Sequence, residues 1–219
     1  MGAVQLLQVL ALSAGFQHTC ILKSDQAICF GRNDYGQSES IKGFRQAKQL
    51  VSGGTHNCVL DDDGVWCWGN ETNKQTDVPA GLKNVREIAA GSGHTCALDD
   101  EGVKCWGYNY YGQTDVPPGI KNVRQLVAGA NHNCVLDDDG VKCWGNNSSG
   151  QISLPANLKN VRKLSTGWSH TCALDDEGVK CWGMRNIANV EPPTDLKNVK
   201  IIDSGGNFTC AVNDQNMLC

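Results

Sequence analysis

Short apolar segments alternate with turn-forming residues along the whole chain. Between Asn84 and Pro117, apolar segments at 84–91, 94–98 and 103–107 are each bounded by Gly, Asp, Asn or Pro. Segments of this length between such residues are typical of β-strands joined by tight turns, and none of them carries a sustained helical period. The pattern predicts a small antiparallel sheet of three strands, A, B and C, followed by a short fourth strand, D.

This unit recurs six times with a constant period. The first cysteine of each unit lies 38 residues after the previous one and its partner keeps the same step, which gives the pairs Cys20 and Cys29, Cys58 and Cys67, Cys96 and Cys105, Cys134 and Cys143, Cys172 and Cys181, and Cys210 and Cys219. A repeat of about 40 residues with four short strands has the size of a propeller blade. We therefore predict an all-β fold, a six-bladed β-propeller of 38-residue repeats that occupies residues 1–219 as a single domain.

The two ends of the chain bear on how the ring is completed. Strand A of every unit ends in small residues, such as Ala89-Ala90-Gly91, which suits crowding around a central channel. We expect a closed ring, because the alternative, an open β-solenoid, ordinarily needs distinct capping repeats. The apolar start of the chain falls in register with strand A of unit 1, so we expect it to belong to the fold rather than to a signal peptide. Blade six is expected to lack its outer strand, unless Met1 to Val4 pairs with it.

Three motifs of the unit carry a family resemblance. Gly91-x-x-His-Thr-Cys-Ala-Leu98, Gly102-Val-Lys-Cys-Trp-Gly107 and Asn109-x-x-Gly-Gln-Thr-Asp-Val-Pro117 resemble the repeat of the regulator of chromosome condensation superfamily. The closest likeness is to its compact bacterial branch, which includes a secreted β-lactamase-inhibitor propeller. This chain differs in having six units where the family's members have seven, and in having a cysteine pair in every unit. The resemblance implies the propeller fold, and one scaffold can host many activities.

Twelve cysteines, an even and high count, indicate paired thiols in an oxidising compartment. In each unit the two cysteines flank a turn, so Cys96 and Cys105 are expected to lie opposite each other on strands B and C. We predict six intra-blade disulfides, one per blade. A metal site is the alternative, because His-x-Cys with a second cysteine nearby offers three ligands. The spacing is not that of a zinc knuckle, and unit 6 keeps both cysteines with Phe208 at the histidine position. We expect no metal and no cofactor.

Antiparallel connectivity divides the loops between two faces. The B–C and D–A turns share one face, where the B–C turns are acidic, as in Asp99-Asp100-Glu101. Asp is common in turns, and the Gly that follows readily adopts a positive φ, so these residues are expected to form the turns. The alternative interpretation of the acidic turns is a calcium site. Lysines in the D–A turns are expected to offset this charge: Lys83, Lys121, Lys159 and Lys197. The tryptophans after the second cysteines are expected to pack between blades: Trp68, Trp106, Trp144 and Trp182.

The A–B and C–D loops, on the other face, differ from unit to unit. Exposed aromatic residues with arginine on a rigid frame are typical of binding hot spots. In the inhibitor propeller that the chain resembles, aromatic loop residues on one such face engage the partner. We therefore expect the binding residues to be Phe16, Arg32, Tyr35, Tyr108, Tyr110, Tyr111, Trp168 and Arg185.

Three function classes fit the pattern. We expect a non-enzymatic protein that is secreted, extracellular or periplasmic and binds a protein partner, as an adhesion, inhibitor or receptor-type module. A carbohydrate-binding lectin is the alternative, although its sites should repeat in each unit. Guanine-nucleotide exchange or chromatin binding fits less well, because the net charge is −4 and nucleic-acid binding needs clustered basic residues. We expect no catalytic residues, no nucleic-acid partner and no membrane insertion, since the histidines repeat with the scaffold and no apolar run is long enough to span a bilayer.

Overall fold

A computed structural model describes residues 9–184 and 198–219, which form six antiparallel sheets, one per unit. The strands are, in blade 1, β1 (Ala11–Ala14), β2 (His18–Leu22), β3 (Gln26–Gly31) and β4 (Ile41–Lys42); in blade 2, β5 (Gln49–Ser52), β6 (His56–Asp61) and β7 (Gly64–Gly69); in blade 3, β8 (Glu87–Ala90), β9 (His94–Asp99) and β10 (Gly102–Gly107); in blade 4, β11 (Gln125–Ala128), β12 (His132–Asp137) and β13 (Gly140–Gly145); in blade 5, β14 (Lys163–Thr166), β15 (His170–Asp175) and β16 (Gly178–Gly183); and in blade 6, β17 (Ile201–Gly205), β18 (Phe208–Val212) and β19 (Met217–Leu218). The predicted all-β propeller of six blades is confirmed. These residues include no helix of the length and apolarity that crossing a bilayer requires.

The B–C hairpin sets the position of the cysteines. In blade 3, Cys96 lies directly opposite Cys105, and Asp99 pairs with Gly102 at the end of the hairpin. A positive φ of 122° at Gly102 makes this tight turn possible without steric strain. Every blade contains the disulfide between its own two cysteines, and no free cysteine occurs in the described parts of the chain. The predicted pairing of one bridge per blade is confirmed.

The predicted fourth strand forms in blade 1 alone among the described residues, so this expectation was wrong for blades 2, 3 and 4. In blade 1, Ile41 and Lys42 pair with the outer edge of β3. The position of Ile41 is occupied by Pro79, Pro117 and Pro155 in the next three blades. Proline has no backbone N–H to donate to a neighbouring strand, so the chain makes turns there instead.

The hydrophobic core lies between blades rather than inside any one of them. Among the described residues it divides into five clusters, one at each junction from blades 1 and 2 to blades 5 and 6. At the junction of blades 2 and 3, Cys58 and Leu60 pack against Ile88, Ala97 and Trp106. The tryptophans therefore have the inter-blade role expected of them, and Trp106, Trp144 and Trp182 are buried.

A hydrogen-bonded group of side chains, here called the histidine joint, connects each of these blade pairs. His56 Nε2 lies 2.9 Å from Thr95 Oγ1 in the next blade. Because the Thr95 hydroxyl donates to the Gln75 carbonyl at 2.9 Å, it accepts the proton on His56 Nε2. Trp106 Nε1 donates to the same carbonyl at 3.0 Å. The contact recurs in the pairs His18 and Asn57, His94 and Asn133, His132 and Thr171, and His170 and Thr209.

Candidate functional site

Hydrogen bonds confirm that the loops divide between two faces. The backbone N of Tyr108, in a C–D loop, donates to the carbonyl of Gly93, in an A–B loop, at 2.8 Å. At the other end of the same blade, the backbone N of Lys83 donates to Asp99 Oδ2 at 3.1 Å, which joins a D–A turn to a B–C turn. We call the surface of A–B and C–D loops the loop face, and the surface of B–C and D–A turns the turn face.

The carboxylates of the turn face are occupied by internal partners. Asp99 is buried and receives the Lys104 ammonium at 2.9 Å and the backbone N–H of Glu101 at 2.8 Å. Burial opposes ionisation of Asp99, but these hydrogen bonds outweigh it and the pKa of Asp99 lies below its ordinary value. Asp137 and Asp175 have the same surroundings and the same direction of pKa shift. The acidic turns are therefore part of the frame.

The expected lysine pairing is found for two of the three lysines that the structure describes. Lys83 contacts Glu101 at 2.7 Å and Lys159 contacts Glu177 at 2.6 Å. Lys121 forms no ion pair within the described residues, although its backbone N donates to Asp137 Oδ2 at 3.3 Å, and Lys197 lies outside them. Strand C contributes further cations, Lys104, Lys142 and Lys180, which the sequence analysis did not single out. Within residues 9–184 and 198–219, no three His, Cys, Asp or Glu side chains are arranged to hold a metal ion.

The five histidines are buried and neutral. Burial lowers the pKa of His56 and His132 to about 3 and that of His94 to about 4, and it lowers the pKa of His18 and His170 as well. In His56 the Nε2 proton is donated within the joint, and Nδ1 makes no hydrogen bond to the described residues. A second proton would therefore be a buried donor without an acceptor. These imidazoles are hydrogen-bonded across the blade junctions, so they hold blades together.

Aromatic side chains gather at the mouth of the central channel on the loop face. Phe16, from the A–B loop of blade 1, contacts Trp168, from that of blade 5, with ring centroids 5.2 Å apart. Phe208 of blade 6 lines the same hollow, whose volume is about 360 Å³ and whose walls are the small residues at the ends of the inner strands. All three rings are roughly half exposed. The mouth therefore presents apolar surface above a narrow channel.

A second aromatic group lies in the C–D loop of blade 3. Tyr110 and Tyr111 meet edge to face with centroids 4.9 Å apart, and Tyr108 lies 6.4 Å from Tyr110. Tyr110 is the most exposed large apolar side chain among the described residues, at 79%. Aromatic pairs in this geometry support each other's orientation. The loop thus displays a preformed cluster rather than three separate rings.

The remaining candidate residues are distributed around blade 1 and blade 5. Arg32 forms an ion pair with Asp34 and donates to Gln17 Oε1 at 2.6 Å, which places its guanidinium beside the loop that carries Phe16. Tyr35 is about half exposed and makes no ring contact with the other aromatic groups of the described residues. Arg185 lies outside the described residues.

Phe208 is the channel-mouth residue that the sequence analysis did not propose. It stands where the other five units have the joint histidine, and that break in the repeat was the available signal. The missing histidine argued against a metal site, but its replacement by an exposed phenylalanine also adds a third ring to Phe16 and Trp168.

Repeats described as regulator of chromosome condensation (RCC1) repeats match residues 9–37, 47–75, 85–113, 123–151 and 161–186. The protein belongs to the RCC1 repeat family. The predicted superfamily is thereby confirmed, while the bacterial β-lactamase-inhibitor branch stays a prediction. The sixth unit lies beyond these RCC1 repeat matches and is identified by its three strands and its disulfide. No curated protein matches the chain.

Solved structures with the same fold include plant receptor ectodomains. The entire ectodomain of the Physcomitrella patens receptor kinase CR4 is 23% identical with a TM-score of 0.78, over 97% of this chain and 61% of that one. The CRINKLY WD40 ectodomain of the Arabidopsis thaliana receptor kinase ACR4 is 26% identical with a TM-score of 0.73, over 95% and 76%. The RCC1 repeat chain thus spans less than two thirds of the CR4 ectodomain.

A yeast protein shares the fold at similar distance. Prp20p of Saccharomyces cerevisiae, the yeast RCC1, is 20% identical with a TM-score of 0.77, over 95% of this chain and 70% of that one. Its structure is described with its binding properties to Gsp1p and histones, and a second structure shows it bound to Kap60. At this identity the likeness establishes the fold, and the binding site must be argued from the residues of this chain.

Proposed function

We propose that this RCC1 repeat propeller is a non-enzymatic binding module that recognises a protein partner through its loop face. The observation that carries the proposal is the pairing of Phe16 and Trp168 at the channel mouth, half exposed and contributed by two different blades. Large aromatic residues that are held in place and only partly covered are the anchors of protein interfaces. The proposed contact set also includes Arg32, Tyr35, Tyr108, Tyr110, Tyr111 and Arg185.

The non-repeating character of the loop face supports a protein partner over a glycan. The A–B loop position of Phe16 is occupied by Gly54, Ser92 and Ala130 in the next three blades, and the tyrosine cluster occurs in blade 3 alone among the described residues. A ring lectin would repeat one sugar site in each blade. A surface with two different aromatic groups instead suits one partner bound in one orientation.

Two further observations are consistent with this function. Receptor ectodomains and a protein-binding yeast RCC1 have the same fold, so the scaffold is compatible with protein partners. Six disulfides suit an oxidising compartment, and we propose that the protein works outside the cell or in the periplasm. The buried, neutral histidines offer no base for catalysis, which supports a binding role over an enzymatic one.

The test is affinity capture from the native extracellular fraction with the wild-type protein and the double variant Phe16→Ala/Trp168→Ala. We expect the double variant to lose at least about tenfold in affinity, since interface anchors contribute about 1–4 kcal/mol each. Trp66→Ala is the matched control, because Trp66 is an equally exposed tryptophan whose indole donates to Asp61 on the turn face. Equal loss from the control and the double variant would contradict the proposal.

A glycan array separates the two ligand classes. The protein is applied to immobilised glycans, with the Tyr108→Ala/Tyr110→Ala/Tyr111→Ala variant alongside it. We expect no saturable binding to any glycan. Specific glycan binding that is lost in the tyrosine variant would establish the lectin alternative in place of protein recognition.

A further inference from the structure

A second contact between the inner strands of neighbouring blades is here called the strand clasp. Gln49 in blade 2 accepts the backbone N–H of Ile88 in blade 3 at 2.8 Å, and its Nε2 donates to the carbonyl of the same residue at 2.8 Å. Gln125 in blade 4 holds Leu164 in blade 5 by the same two bonds, at 2.7 and 2.9 Å. The glutamine amide fits this position because it has an acceptor and a donor, which match the N–H and C=O groups of one strand residue.

Glu87 has the equivalent position in blade 3, but its side chain is an acid. Its Oε2 accepts the backbone N–H of Leu126 in blade 4 at 3.0 Å, which is the first bond of the clasp. The N–H and C=O groups of one strand residue point to the same side, so the carbonyl of Leu126 also faces blade 3. No side chain of the described residues donates to that carbonyl. Of the two bonds of the clasp, the heavy atoms of blades 3 and 4 therefore show one.

A proton on Glu87 supplies the missing donor. An ionised carboxylate only accepts hydrogen bonds, whereas a neutral carboxyl group has one O–H donor and one acceptor, as the glutamine amide does. With Oε2 on the N–H of Leu126, an O–H on Oε1 can donate to the Leu126 carbonyl. In the ionised form these two oxygens are both acceptors, and Leu126 is buried, so its carbonyl is left without a partner at a cost in free energy.

We propose that Glu87 is a proton-binding site that completes the strand clasp between blades 3 and 4 when its carboxyl group is protonated. Ionisation leaves this junction with one hydrogen bond fewer than the junctions held by Gln49 and Gln125. The clasp of Glu87 thus tightens in acid, whereas the histidine joints weaken there. The proposed site lies on an inner strand and does not depend on the loop-face function.

The surroundings of Glu87 favour the neutral acid. Burial opposes ionisation and raises the pKa of Glu87 above its ordinary value. The N–H of Leu126 and nearby positive charges act in the opposite direction, but burial outweighs them. Four basic side chains are placed to act on Glu87 or line the same hollow: Lys48, Arg86, Arg124 and Lys163. Glu87 is the one acid among the described residues that line this hollow.

The strands packed against β8 add no other titratable group to the clasp. Strands β5 and β11 contain none. The titratable groups of β6 and β9 have hydrogen-bond partners in the histidine joints and on the turn face: His56, Asp61, His94 and Asp99. A pH dependence that arises at the clasp is therefore assigned to Glu87 itself.

The direction of the pH effect follows from the raised pKa of Glu87. The pKa of a glutamate in an unfolded chain is about 4.3, so above that pH the folded protein keeps the proton that the unfolded chain has lost. The contribution of the clasp is fully present below about pH 4.3 and is lost as the pH rises through the pKa of the folded protein. A glutamine at position 87 should keep both bonds at every pH.

Urea unfolding of the full chain at pH 7.5 and pH 5 tests this with two reciprocal variants. At pH 7.5 we expect Glu87→Gln to lower the equilibrium constant for unfolding about three- to tenfold, the effect of one hydrogen bond. Gln125→Glu should raise it at least as much. Both differences from the wild type should shrink at pH 5, because acid restores the donor. The histidine joints are common to all three proteins, so their pH dependence cancels in the comparison.

A control and a direct titration complete the test. Glu71→Gln changes an exposed glutamate of the loop face and should leave the unfolding constant unchanged at both pH values. Carbon-13 NMR of the side-chain carboxyl groups, with Glu87 assigned by the signal lost in Glu87→Gln, should show Glu87 titrating at a higher pH than Glu71. Titration of Glu87 together with the exposed glutamates overturns the proposal. So does an effect of Glu87→Gln that is equal at both pH values, since it would come from shape rather than from a proton.

Discussion

The histidine joints and the loop face use similar residue types for different roles, the first structural and the second in recognition. In the joints, polar and aromatic side chains repeat from blade to blade, are buried, and have partners within the chain, as with His56, Thr95 and Trp106. On the loop face, the aromatic side chains differ between blades and stay half exposed, as with Phe16 and Trp168. In a repeat protein, therefore, a side chain that recurs in every unit belongs to the frame, and one that interrupts the repeat is a candidate for recognition.

Acidification should weaken the histidine joints and leave the loop face unchanged. Of the changes considered, it is expected to lower the free energy of unfolding the most. The pKa of His56 and His132 is about 3 and that of His94 about 4 in the folded protein, against about 6.5 in an unfolded chain. Below about pH 6.5 the unfolded chain therefore binds more protons than the folded protein does. The contribution of these histidines to the free energy of unfolding is fully present above that pH and is lost as the pH falls towards 4. Between pH 7.5 and pH 5 we expect a loss of about 1–2 kcal/mol for each of the three.

Urea unfolding at the two pH values measures this loss. The carboxylates of Asp99, Asp137 and Asp175 have lowered pKa values and stay ionised over this range, so they do not contribute. Equal stability at both pH values would mean that the imidazoles gain protons without disturbing the junctions.

The second largest effect on the free energy of unfolding is expected from one member of a matched pair of substitutions. His94→Phe removes the donor to Asn133 Oδ1 at a buried junction and leaves that oxygen without its N–H partner, although Asn133 Nδ2 still donates to the Gln113 carbonyl. We expect this change to cost about 2–3 kcal/mol. Phe208→His makes the reverse change at the equivalent, half-exposed position in blade 6, and should change the free energy of unfolding by less than about 0.5 kcal/mol. Urea denaturation of both variants at pH 7.5 provides the comparison. Similar costs at the two positions would contradict the distinction between the buried joints and the exposed phenylalanine of blade 6.

The smallest effect on stability is expected on the loop face. Tyr110→Ala removes a side chain that is 79% exposed and whose ring neighbours, Tyr108 and Tyr111, belong to the same loop, so the free energy of unfolding should change by less than about 0.5 kcal/mol. Thermal and urea unfolding of this variant beside the wild type tests the expectation. A loss as large as that of His94→Phe would show that the tyrosine cluster is part of the frame.

The propeller fold could be predicted from the sequence because the same pattern recurs in every unit, so each unit supports the interpretation of the others. The spacing of Cys96 and Cys105 around a turn predicted both the hairpin register and the disulfide, since opposed strand positions bring Cβ atoms within bonding reach. The fourth strand was overestimated because an apolar segment suggests a strand even where Pro79 or Pro117 removes the N–H it would need. Both errors and successes therefore follow from local backbone chemistry.

The candidate site was harder to predict because it is assembled across blades. The loop residues Phe16 and Trp168 were identified as interruptions of the repeat, but their contact joins blades 1 and 5 and no local pattern encodes it. The place of Phe208 beside these two rings was not foreseen either, because it comes from a third blade. Sequence periodicity describes one unit well, but it does not show which loop residues of different units meet.

The constant 38-residue period makes the loops of different units interchangeable. The internal junctions use equivalent contacts at equivalent positions, as in the pairs His56 and Thr95 and His132 and Thr171. A loop moved between units in register therefore meets the same strand ends and the same disulfide. New binding residues can be introduced on the loop face while the inter-blade contacts stay as they are.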